Sequence, residues 1–108
     1  MEDYSEKRLY ERYDYQEPVS LHRYESQDQF YAAKMYNYSS GGMYLRTNEE
    51  MTVGQHVYVR LKNYYADSKG PEKYKNYSGY IRWSDELGTS VPSGQYGYGV
   101  EYTKPVYY

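Results

Sequence analysis

Between residues 55 and 62 the chain alternates without a break: Val57, Val59 and Leu61 fall on one face, His56, Tyr58, Arg60 and Lys62 on the other. A period of two marks a strand with one buried face. Weaker forms of the pattern recur. Val19 and Leu21 share a face within residues 19–24, and residues 30–38 form an aromatic-rich run. Met43 and Leu45 pair within residues 43–46, Ile81 and Trp83 within 77–83, and residues 95–102 close the series. Turn chemistry separates the runs at 26–29, 47–54, 63–75 (with the Gly70-Pro71 breaker) and 84–94. No stretch carries a long helical period. Six short strands in one chain predict an all-β fold, a small antiparallel barrel or sandwich.

The core of such a fold has an unusual supply. The 108 residues hold one Ile, five Leu, seven Val and one Phe, but 20 Tyr and one Trp. One domain of this length buries somewhat over ~60 % of its unfolded surface. Sparse aliphatics point to disorder only when net charge is also high, and here it is −2. The mean hydropathy of −1.15 treats tyrosine as polar. A tyrosine ring nevertheless buries large area when its hydroxyl finds water or a partner. Many rings are therefore expected half-buried with their hydroxyls in water.

The slight acidity argues against nucleic acid as the bulk partner, which normally goes with a strong basic excess. With no cysteine, disulfides and zinc–thiolate sites are excluded. The opening Met1-Glu2-Asp3-Tyr4-Ser5-Glu6 is not a signal peptide, and no apolar run reaches membrane-spanning length. A soluble, cytoplasmic protein without membrane insertion is expected, so the sequons at Asn37 and Asn76 are not read as glycosylation sites. Residues 1–18 are mostly charged and end at Pro18; they read as a flexible arm, with the barrel over 19–104 and a short tail at 105–108.

Two clusters carry possible chemistry. Arg8 and Arg12 stand four apart in the arm, which puts them on one face of a helix or of an extended chain. A guanidinium forks onto phosphate, stacks on aromatic planes and donates to guanine O6 and N7. The plain alternative is a solvated tail pairing with Glu6 and Glu11. Asn37 and Ser39 end the second run, followed by Gly41 and Gly42. Glycines there can take positive φ and turn backbone N–H groups toward a ligand, although Asn, Ser and Gly are also stock hairpin residues. His22 and His56 lie on different strands without a ligand set for a metal. The adjacent pairs Glu49-Glu50 and Asp85-Glu86 read as solvated. No nucleophile stands at a readable spacing from a base, so no enzyme is expected.

Arg8-xxx-Arg12 followed by Asn37-x-Ser39-x-x-Gly42 resembles the PilZ domain, whose signature is RxxxR and then [D/N]xSxxG. Gly54 before the fourth run, Gly79 to Trp83, and Gly99-Val100-Glu101-Tyr102 match later parts of that family's pattern, so the resemblance covers residues 7–103. It implies a six-stranded antiparallel β-barrel that binds cyclic di-GMP, a bacterial second messenger, and signals by changing shape. In that family the arm wraps over the barrel and clamps the ligand. Carried over, Arg8 and Arg12 would stack on guanine and contact phosphate. Asn37 and Ser39 would bind a guanine edge or phosphate, and Gly42 would permit close approach. No cofactor beyond that ligand is implied. Two departures stand out: the neutral Asn37 in place of the commoner Asp, and Tyr38 in place of the usual aliphatic.

Two rival readings remain at this point. One is a PilZ-like protein–protein adaptor without nucleotide, since tyrosine is enriched at interfaces. The other is a small-barrel binder of single-stranded nucleic acid, for which Arg23, Arg46, Arg60, Lys62 and Arg82 would have to cluster. The receptor reading also calls for a downstream protein partner.

Overall fold

A computed structural model describes residues 12–88 and 94–106. Six strands form: β1 (Tyr13–Arg23), β2 (Ser26–Tyr38), β3 (Gly42–Thr47), β4 (His56–Leu61), β5 (Asn76–Glu86) and β6 (Tyr96–Tyr102). They close into an antiparallel barrel in the order β1-β2-β3-β6-β5-β4, with β4 returning to β1. Closure gives the strands of a small sheet partners on both sides. A 3-10 turn, Pro71–Lys73, lies in the β4–β5 connection.

The alternation in β4 sets the interior, where Val57, Val59 and Leu61 are buried. Val19 and Leu21 meet them from β1 through the pairings Val19↔Leu61 and Leu21↔Val59. Met35, Met43, Leu45, Ile81 and Val100 complete the aliphatic core. Tyrosine supplies the remainder in two ways. Tyr31, Tyr38 and Tyr96 are half-buried against the core, as expected. Tyr98 and Tyr77 instead lie inside. The Tyr98 hydroxyl accepts from the Met51 N–H at 2.6 Å and donates to the Glu49 carbonyl at 2.9 Å. The Tyr77 hydroxyl donates to the Pro71 carbonyl at 2.5 Å. Main-chain partners make full burial of these phenols affordable.

Three strands outrun their sequence signal. β1 begins at Tyr13 rather than Val19, so residues 13–18, expected in the arm, belong to the strand. Tyr13, Asp14, Glu17 and Pro18 pair with β2, with a register shift between Asp14 and Glu17. β2 begins at Ser26, because the turn before it is only Tyr24-Glu25. β5 continues to Glu86, opposite Tyr96. Ladder hydrogen bonds join main chains and need no apolar alternation. Residues 1–11 of the expected arm, with Arg8, lie outside the described residues.

Where β1 leaves the core it meets the β4–β5 connection. Glu17 is 5 % exposed and its Oε2 is buried without a hydrogen-bond partner; Glu72 of the 3-10 turn and Asn63 are its polar neighbours. The Tyr15 hydroxyl donates to Glu72, and Ser68 donates to the other Glu72 oxygen at 3.0 Å. Burial and the neighbouring Glu72 push the Glu17 carboxyl up to about 7, while Glu72 is held below its ordinary value by the donors around it. Tyr38 sits in the same cluster, with its ring 5.5 Å from Tyr13 and 6.1 Å from Tyr15.

Candidate ligand-binding site

A cleft of about 570 Å³ opens on the outside of the barrel across β2, β3, β6 and β5. Small-molecule sites typically measure roughly 300–1,000 Å³. Arg12, immediately before β1, lines it together with Asn37 at the end of β2, Ser39 and Gly41 in the turn, and Gly42 at the start of β3. Four of the five expected site residues are thus brought to one place from two separate parts of the chain. The fifth, Arg8, lies outside the described residues.

The turn works differently from the expectation. Gly41 and Gly42 do not take positive φ, and their N–H groups are engaged within the turn. Both donate to the Ser39 hydroxyl oxygen, at 3.1 and 3.2 Å. Ser39 is itself buried and its N–H bonds the Gly42 carbonyl at 2.8 Å. The serine therefore fixes the turn that presents Asn37. Gly42 is required by the barrel, since a Cβ there would fall 2.1 Å from the Val100 carbonyl oxygen. Ser39→Ala is expected to leave two N–H groups poorly satisfied, at a cost of roughly 1–2 kcal/mol in denaturant unfolding. An unchanged unfolding midpoint would remove this structural role.

The far wall was not legible as a site. Trp83, Tyr44, Arg82 and Glu101 line the cleft. Trp83 was expected to share the face of Ile81, yet Ile81 is fully buried and Trp83 is 39 % exposed. A register shift between Ile81 and Trp83 in the β5–β6 ladder reverses the alternation, as a bulge does. The indole then lies over β6 at Gly99, where a Cβ would fall 2.1 Å from Trp83 Nε1. Tyr44 stacks on Trp83 with centroids 5.3 Å apart and planes 15° apart. Its hydroxyl occupies the space over Gly97. Arg46 extends the stack, its guanidinium 4.3 Å from the Tyr36 ring centre and 5.5 Å from that of Tyr44. The alternating glycines of β6 were the one available signal, because they mark where rings from neighbouring strands lie flat.

The cleft therefore offers cations (Arg12, Arg82), an amide (Asn37), a carboxylate (Glu101) and an aromatic floor (Trp83, Tyr44). That set suits a planar heterocycle joined to an anion. The PilZ domain family model matches residues 6–106 of the chain. The chain belongs to the PilZ domain family. No curated protein matches it. The match spans all six strands of the barrel. The described residues contain no helix long and apolar enough to cross a membrane.

Four of the basic residues that a nucleic-acid groove would need have partners of their own in this PilZ domain. Arg23 pairs with Glu49 at 2.5 Å, Arg60 donates to Asn76 at 3.0 Å, Arg46 lies over tyrosine rings, and Arg82 is 3.7 Å from Glu101.

Proposed function

We propose that this protein is a cyclic di-GMP receptor that binds, and does not transform, its ligand. The family is one generally associated with that nucleotide. The observation that supports the reading most is the meeting of Arg12, Asn37 and the Ser39–Gly42 turn at one cleft with a stacking floor. In this reading Arg8 and Arg12 hold phosphate and guanine faces, Asn37 takes a base edge, and Ser39 and Gly42 keep the turn in register. Ligand capture alters the surface of the domain, and that surface is read by a downstream protein partner in the cytoplasm.

Calorimetric titration with cyclic di-GMP, followed in parallel by Trp83 emission, tests this directly. Saturable binding with a change in emission is expected. Arg12→Ala should weaken it by roughly 1.5–3 kcal/mol, the range for hydrogen bonds to charged groups. An unchanged affinity would remove Arg12 from the site. Absence of binding by the wild type would overturn the receptor reading in favour of a protein–protein adaptor.

A further inference from the structure

The outward positions of β6 alternate as Gly97, Gly99 and Glu101, while Tyr98, Val100 and Tyr102 are buried. Trp83 lies over Gly99. Glu101 follows two residues on along the same face, about 7 Å away at the rise of a strand. Tyr44, over Gly97, stacks on one face of the indole, so a base stacked on the other face comes to the Glu101 side. Among the described residues that line the cleft, Glu101 is the only carboxylate. Asn37 offers a neutral amide, and the Ser39 hydroxyl oxygen already accepts two backbone N–H groups.

Guanine is the base whose pairing edge carries two adjacent donors, N1–H and the N2 amino group. A carboxylate is the acceptor-only group that meets such a pair with two oxygens, and charge assistance roughly doubles the strength of each bond. Adenine places a lone pair at N1, which a carboxylate repels. We propose that Glu101 reads the donor edge of a guanine stacked on Trp83, so that base specificity in this domain comes from β6 as well as from the β2–β3 turn. Arg82 is the positioning residue. Its Nε lies 3.7 Å from Glu101 Oε1, with both side chains more than half exposed. It steadies the carboxylate at the rim and leaves its remaining N–H groups for a phosphate oxygen.

The inference rests on the cyclic di-GMP reading, and its test separates the two. Wild type, Glu101→Ala and Glu101→Gln are titrated by calorimetry with cyclic di-GMP and with its inosine analogue, which lacks only the N2 amino group. The wild type should prefer the guanine ligand by about tenfold or more, as expected for one charge-assisted bond. Glu101→Ala should bind the two ligands within about twofold of each other. Glu101→Gln, which keeps one uncharged acceptor of the same shape, should fall between. Thermal melts of both variants should match the wild type, because the side chain is exposed. A preference that persists undiminished in Glu101→Ala overturns the role of Glu101 and leaves the receptor reading standing. So does tighter binding of cyclic di-GMP by that variant, which would mean that the carboxylate only repels phosphate. A wild type that binds neither ligand overturns both.

Discussion

Val59→Asp is expected to unfold the domain. Val59 is fully buried at the middle of β4, paired with Leu21 of β1 on one side and Tyr77 of β5 on the other. Its surroundings are aliphatic side chains and tyrosine rings. An aspartate there must either lose its charge or stay unpaired in an apolar interior, and either course costs several kcal/mol. Domains of this size hold roughly 5–15 kcal/mol in total, and few aliphatics support this one. Circular dichroism should show loss of the cooperative melt, and ligand binding should disappear with it. Val53→Asp is the control, because that side chain is 54 % exposed in the β3–β4 loop and surface changes normally stay within about 0.5 kcal/mol. A Val59→Asp variant that melts cooperatively at the wild-type temperature would mean that the β4 face does not hold the barrel closed.

The same strand shows why the fold was legible. In β4 each inward residue is aliphatic and each outward one is polar or aromatic, so alternation alone assigns both faces. The pattern weakens where main-chain pairing proceeds without a buried face. Tyr13 and Asp14 are exposed yet paired to β2, and Ser84 to Glu86 are all exposed yet paired to β6. Residues of that kind carry no hydrophobic signature, and the strands were accordingly read short. Trp83 is the opposite case. Its residue type argued for burial, and only the bulge after Ile81 turned it outward. A bulge adds one residue to one strand and leaves no mark in composition.

The site was half legible for a related reason. Asn37, Ser39 and Gly42 stand together in sequence, so one short motif exposed them. Their division of labour was hidden, because whether a glycine N–H points to a ligand or to a serine oxygen depends on turn geometry, and here Ser39 takes both. Arg82, Trp83 and Glu101 reach the cleft from β5 and β6. Each looks like an ordinary surface or core residue within its own strand. Only barrel closure sets them beside the β2–β3 turn, through pairings such as Gly42↔Glu101.

Stability is expected to fall as pH rises from about 4.5 to about 7, through Glu17. The folded protein raises the pKa of this carboxyl from 4.5 to about 7, mainly through burial and secondarily through Glu72. A raised acid binds its proton more tightly when folded. Its contribution is therefore full below about 4.5, declines as the unfolded chain ionises, and is lost once pH passes about 7. The shift corresponds to as much as about 3 kcal/mol at 1.36 kcal/mol per unit. Glu72 has the opposite sign. Its lowered pKa contributes stability above about 4.5 that is lost as pH falls further. The two slopes meet near the ordinary carboxylate value. Glu17→Gln keeps the shape of the protonated acid and removes the titration. Urea unfolding at pH 5, 6, 7 and 8 should show the wild type losing stability across the series and Glu17→Gln holding nearly level, with the variant the more stable at pH 8. Parallel slopes for the two proteins would show that Glu17 ionises normally and that the carboxyl pair does not hold the β4–β5 connection to β1.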